Sequence, residues 1–245
     1  MEAYFNRGIT YANPYKRKET ISDLTKVIEM LCEKYKTGRH IKNEVTQKII
    51  ATLIKDYYDK PLIVAFYNRG RNYDKLGMND NAIEDYTKVI EFDDQHSLAY
   101  YFRAWGYLEQ EKYEMAIQDY TKVLLVDDED KEGYNYKSLK CRALCHEKLS
   151  QYEKAIECYT ETIEFRKQYE ENYLSRAHLY LKLKKYKEAI EDYSFVLQKS
   201  NKYSAAFLGR AEAYRELGDI DAAFREYKQG MEMRLRKYKI KSQNN

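Results

Sequence analysis

Apolar and polar residues alternate along residues 63–96 with the period of a helix rather than that of a strand. With Ile63 as position 1, core-type residues stand at positions 4, 8 and 11 (Phe66, Gly70, Tyr73) and again at 20, 24 and 27 (Ala82, Tyr86, Val89). Spacings of three and four place each trio on one helical face. Leu76-Gly77 and Asn79-Asp80 interrupt the pattern between them. This predicts two antiparallel helices, A and B, with Gly77 as the C-cap of the first and Asn79 or Asp80 as the N-cap of the second. The small residues at positions 8 and 20 are expected to face each other where the two backbones approach.

The pattern recurs. Arginine stands at 69, 103, 142, 176 and 210, at intervals of 34, 39, 34 and 34, and Ala82 and Tyr86 recur with the same intervals. Residues 97–130 carry Tyr100, Ala104, Tyr107, Ala116, Tyr120 and Val123 at the core positions. Residues 136–169, 170–203 and 204–237 repeat the scheme, and residues 1–34 fit it with Tyr4, Gly8, Tyr11, Thr20, Leu24 and Val27. Five inserted residues, 131–135, account for the single long interval. A self-similar period of this length means stacked supersecondary units, each too small to bury its own apolar face. The six units resemble the tetratricopeptide repeat, a helix–turn–helix of 34 residues. That resemblance implies an all-α fold, a right-handed solenoid of antiparallel helical hairpins. The family often has proline near position 32, where this chain has Asp94, Asp128, Lys167 or Asn201. Pro14 is expected to end the first helix of unit 1–34 early.

Position 7 is a second departure, since leucine is common there in the family and this chain has arginine in all six units. Position 23, on helix B, is Asp23, Asp85, Asp119, Cys158, Asp192 or Glu226. An acid opposite a planar guanidinium reads as an ion pair tying helix A to helix B, with a ligand-binding arginine ladder as the alternative. Arg142 faces Cys158 and is the strut expected to be weakest.

Residues 35–62 break the register. Ile41, Val45, Ile49, Leu53 and Tyr57 lie four apart and predict one amphipathic helix that stops before Pro61. It either packs on its neighbours or fills the binding groove. The resulting organisation is a divergent repeat at 1–34, an inserted helix at 35–62, a five-repeat array at 63–237 and a basic tail at 238–245. The basic run from Arg234 is expected to extend the last helix.

Composition narrows the function. Only two prolines and nine glycines among 245 residues suit a helical protein. No apolar run is long enough for a membrane span, and no secretory signal is visible at the N-terminus. Four cysteines suggest reduced thiols and a cytoplasmic location. The net charge of +3 is uneven: residues 34–60 hold +4 and residues 228–245 hold +5, which leaves −6 on residues 63–227. An acidic array argues against a nucleic-acid groove along the repeats. The four histidines are scattered, and no glycine-rich phosphate loop is present. Cys141, Cys145, His146 and Cys158 read as packing residues rather than a zinc site. No catalytic residue, metal or cofactor is therefore expected.

The face of helix A opposite its core stripe is positions 2, 6, 9 and 13. In related solenoids this face lines the concave, peptide-holding groove. It carries Asn68, Arg71 and Lys75, then Leu98, Phe102 and Trp105, then Lys137, Leu144 and Lys148, and later His178. The apolar members gather around the only tryptophan, and tryptophan is enriched at binding hot spots. Some family members clamp the acidic tails of heat-shock chaperones with lysine, asparagine and arginine on this face. Of the corresponding residues Phe5, Ile9, Asn68, Leu98 and Phe102, only Asn68 fits, so no such clamp is expected. The expected function is a non-enzymatic scaffold that binds a protein or peptide with an apolar anchor and an acidic flank. Self-association through the tryptophan patch, giving a homo-oligomer, is the second reading, and an RNA-binding helical repeat is the third.

Overall fold

The computed structural model describes residues 17–37, 44–126, 133–200 and 202–243. Among these the regular structure is eleven α-helices. They fall into two compact units, 1–134 and 135–245. The boundary coincides with the insertion that lengthens the repeat period once.

The first unit holds α1 (Arg17–Thr37), α2 (Glu44–Lys75), α3 (Asn79–Phe92), α4 (Ser97–Glu109) and α5 (Tyr113–Val126). Its core is the predicted stripe: Leu24 and Val27 of α1, Phe66 of α2, and Ala82, Tyr86 and Val89 of α3 are all buried. The helix A half of unit 1–34, with Tyr4, Arg7, Gly8 and Pro14, lies outside the described residues. The second unit holds α6 (Tyr134–Lys148), α7 (Tyr152–Phe165), α8 (Glu170–Lys182), α9 (Tyr186–Lys199), α10 (Ser204–Glu216) and α11 (Ile220–Gln243). Its core repeats the scheme with Ala143, Ala155 and Tyr159, then Ala177, Ala189, Tyr193 and Val196. Consecutive helices in each unit pack as hairpins, the helical-repeat architecture expected. The basic run from Arg234 does extend the last helix.

Two local expectations are corrected. The amphipathic helix does not stop before Pro61. It continues as α2 through Lys75 with Pro61 inside it. An internal proline costs a helix about 3 kcal/mol. Here Leu62, Ala65 and Phe66, one turn downstream, are buried in the core and hold the chain helical. The segment is therefore an extension of the next repeat's helix A. At the following turn, the N-cap of α3 is Met78, with no side-chain cap bond, while Asn79 and Asp80 already lie inside the helix. Asp80 instead favours the helix as an acid in its first turn. Gly77 does end α2, with φ of +72°.

The paired helices approach closely at position 8. A Cβ on Gly70 would lie 2.9 Å from the Tyr86 ring and 3.2 Å from the Asp85 Cβ, so position 8 packs against positions 23 and 24. The inter-helix turns reproduce the ruler of the arginines: Gly77, Glu111, Ser150, Lys184 and Gly218 all have positive φ.

Candidate functional site

The arginine row is a set of struts. Arg69 grips Asp85 with Nε and Nη2 at 2.8 and 2.6 Å. Arg103 grips Asp119 at 2.7 and 2.8 Å, and Arg176 grips Asp192 at 2.8 Å through both nitrogens. Arg210 reaches Glu226 in the same way. Burial works against the Arg103 charge, yet the hydrogen bonds and charge of Asp119 hold its pKa above the ordinary value. Burial in turn pushes the Asp119 carboxyl up, against the pull of Arg103. Arg142 departs as expected: its Nε lies 3.2 Å from Cys158 Sγ, and its Nη2 turns to the half-exposed Glu161 at 2.7 Å.

Sequence reasoning missed a third partner of these arginines. Nη1 donates to a hydroxyl on the preceding repeat's helix B: Arg69 to Thr25, Arg103 to Thr87, Arg176 to Thr160 and Arg210 to Ser194, at 2.9–3.1 Å. Each arginine thus ties three helices. The hydroxyls follow the same period, at position 25, but their partner lies in the next repeat.

In the first unit the candidate face lies on α2 and α4. The structure brings Arg71 and Phe102 together, with the guanidinium carbon 3.5 Å from the ring centroid. Phe102 also stacks on Tyr86 at 6.0 Å and meets Tyr67, Tyr101 and Tyr134 within 6.2 Å. It is half-buried, a wall of the core rather than a free anchor. Asn68 donates to its own helix at Val64 O, 2.8 Å away. Leu98 is half-buried, while Lys75 is exposed. Trp105 stands out at 42% exposure. His96 caps this face: its Nδ1 accepts the backbone N–H of Ala99, the first turn of α4. Burial pushes the His96 imidazole pKa down, against the pull of Asp93.

In the second unit Lys137, Leu144 and Lys148 lie exposed on α6. His178 sets its ring edge-on to Tyr193 at 5.6 Å. It borders a groove of about 720 Å³ that also involves Lys182, Tyr193, Gly209, Glu212 and Tyr227. Of the candidate residues predicted from the sequence only His178 lines it. Lys182, Gly209 and Glu212 belong to the predicted face, whereas Tyr193 comes from helix B.

The groove follows from one position. Position 24 of α3, α7 and α9 meets position 6 of the next helix A. Tyr86 stacks on Phe102 there, and Tyr159 shares a hydrogen bond with Ser175. Tyr193 meets Gly209, whose missing Cβ would overlap the phenol oxygen. That hydroxyl is buried without a hydrogen-bond partner among the described residues. Burial raises its pKa, so it stays a neutral donor. Lys182 is held beside the groove by Glu147 at 3.1 Å.

Among the described residues no group of three or more histidine, cysteine or acidic side chains could hold a metal. Burial raises the Cys158 thiol and pushes Cys145 up to about 12, so both stay protonated and inert. No helix of the described residues is long and apolar enough to cross a membrane.

Comparison with known proteins agrees with this architecture. Family models described as tetratricopeptide repeat match residues 63–96 and 98–130, and a second matches residues 174–230. A crystal structure of MamA protein superposes with a TM-score of 0.66, at 19% identity, over 73% of this chain and 94% of that one. A second MamA structure gives 0.63 at 20% identity, over 69% and 96%. YrrB, titled a TPR protein with an unusual peptide-binding site, gives 0.62 at 17% identity, over 70% and 86%. Identities this low carry the fold alone. No curated protein matches the sequence. With the period, the hairpins and the matched segments in agreement, the chain belongs to the tetratricopeptide-repeat family.

Proposed function

We propose that this protein is a non-enzymatic interaction adaptor that binds a peptide or helix of a partner protein on the helix A face of its repeats. Trp105 carries the reading. Its indole is 42% exposed at a position where the other repeats place Arg71, Leu144, His178 or Glu212. An exposed aromatic beside the Arg71–Phe102 stack suits an apolar anchor with an acidic flank, because Arg71 and Lys75 lie on the adjacent helix. The groove of the second unit, rimmed by His178, Lys182 and Glu212, offers polar groups to the same class of ligand. YrrB, which shares the fold, is described as having a peptide-binding site. The charge of −6 on residues 63–227 argues against RNA as the ligand. Free cysteines Cys145 and Cys158 suit a reducing location such as the cytoplasm.

Affinity capture comparing wild type with Trp105→Ala tests the reading. Trp105 is exposed, so the variant should keep its unfolding midpoint and lose its partner at least about ten-fold, the effect of removing one hot spot. A partner retained at wild-type level sinks the proposal. Light scattering over a dilution series separates the rival: a dimer that disappears in Trp105→Ala would make this face a self-association surface.

A further inference from the structure

The last helix presents a second surface, which meets the groove of the second unit at Glu212, Arg215 and Tyr227. α11 exposes Ile220 (62%), Phe224 (71%), Tyr227 (51%), Met231 (43%) and Leu235 (57%). Their spacings of four, three, four and four residues form one stripe along the helix. Between this stripe and α10 lies a groove of about 520 Å³ involving Ala211, Arg215, Ala223, Phe224 and Met231. Exposed apolar surface of this extent and order marks an interaction site.

The repeat itself shows what shape belongs there. Tyr227 is the counterpart of Tyr193, which is fully buried because α10 covers it. The groove on α11 is thus the seat of one more helix A. Among the described residues no helix fills it: α11 runs for 24 residues, against 14 for α3, α5, α7 and α9.

Charge then selects the occupant. Within the units, position 25 of helix B is Thr25, Thr87, Thr160 or Ser194, and each accepts a hydrogen bond from the arginine of the incoming helix. In the last repeat this position is Lys228, which lines the groove. An arginine-bearing helix, such as a repeat of a second copy of this chain, would set a guanidinium against an ammonium. A carboxylate would meet a partner. Beyond Glu232 the described side chains include Arg234 and Arg236 and no acid. A helix seated antiparallel to α11, as α10 is to α9, brings its N-terminal turn to this basic end. Acids there are favoured twice, by these cations and by the helix's own dipole.

We propose that the α10–α11 groove docks one amphipathic helix of a partner protein, acidic in its first turn and with Asp or Glu facing Lys228. The probes are two helix-stabilised peptides with the sequence of residues 204–216, one unchanged and one carrying Arg210→Glu, titrated by fluorescence anisotropy into the full chain. The Arg210→Glu peptide should bind at least ten-fold tighter than the unchanged one. Phe224→Ser should weaken it at least ten-fold, and Lys228→Thr should abolish or reverse the preference between the peptides. Both substitutions fall on exposed side chains, and circular dichroism checks the fold. Trp105→Ala should leave this binding unchanged, which separates it from the site proposed above. The proposal is overturned if neither peptide binds, if the unchanged peptide binds as well, or if the preference survives Lys228→Thr. Self-association of the free chain that Phe224→Ser abolishes would make a second copy the occupant. Partitioning onto phosphatidylserine vesicles abolished by the same substitution would make it a lipid surface. Either result also overturns the proposal.

Discussion

The two units share one frame and differ in what they hang on it. In the first, the α4 residue that meets the preceding tyrosine is Phe102, so the face is filled with stacked rings and covered by Arg71. In the second, the matching residue of α10 is Gly209, so the tyrosine hydroxyl is left without a partner beside an open groove. The struts differ as well. Arg103 grips a buried aspartate, whereas Arg142 has a thiol and a half-exposed glutamate. A repeat protein can therefore change its ligand chemistry at one position per repeat without touching the stripe that stacks the helices, because the two sets occupy different faces of helix A.

The largest expected difference is in the struts. Arg103→Ala leaves Asp119 buried with no counter-charge and should cost about 3–5 kcal/mol. Arg142→Ala strands only a neutral thiol and an exposed carboxylate and should cost about 1 kcal/mol. Urea unfolding of the two variants measures the gap, and equal losses would refute the view that the third repeat's strut is the weak one.

Next in size is Gly209→Ala. The new Cβ would overlap the Tyr193 phenol, and forcing such a group into a packed site costs about 1–3 kcal/mol. The same change should shrink the groove of the second unit and weaken any peptide held there, while binding at Trp105 persists. A variant as stable as wild type with an unchanged groove ligand would break the contrast between Gly209 and Phe102.

A smaller effect depends on pH. His96 accepts the α4 N–H only when neutral, and its folded pKa lies below the ordinary 6.5. The stabilisation is therefore complete above about pH 6.5 and is lost as pH falls through the lower folded value. A lost cap is worth about 1 kcal/mol. The matching residues of the second unit, Tyr169 and Tyr203, make no side-chain cap. Hydrogen exchange on acidification should rise at the start of α4 and stay level at the starts of α8 and α10. Uniform change in all three would sink the assignment.

The smallest lies in the turns. Lys184 sits at φ 58°, where Gly77 and Gly218 occupy the equivalent places. Lys184→Gly should raise stability by up to about 1 kcal/mol, because a side chain is strained in the left-handed region. Thermal unfolding reads this, and a fall in midpoint would show that the lysine side chain contributes more than its backbone costs.

Much of this was open to inspection in the sequence. The period located the hairpins, and the fixed separation of sixteen residues between arginine and acid located the struts. The position-25 hydroxyls carry the same period, but no residue of their own repeat answers them, so the sequence does not reveal their partner. Phe102 lies on the face of helix A that the periodicity marks, and it is half-buried there. A helical wheel marks direction, whereas burial depends on the rings that converge from α2, α3 and Tyr134. Pro61 reads as a stop because local propensity is visible in sequence and the packing of Leu62, Ala65 and Phe66 that overrides it is not.

By itself, then, the sequence determined what repeats: the helical faces, the paired charges, the glycine turn at Gly77 and the family. These are local or periodic, and a chain with 3.6 residues per turn records them at regular intervals. Tertiary structure alone decided what happens between repeats: the hydroxyl that completes each strut, the groove opened under Gly209 and the uncovered stripe on α11. Those features depend on which neighbouring helix is present, and no single repeat contains that information.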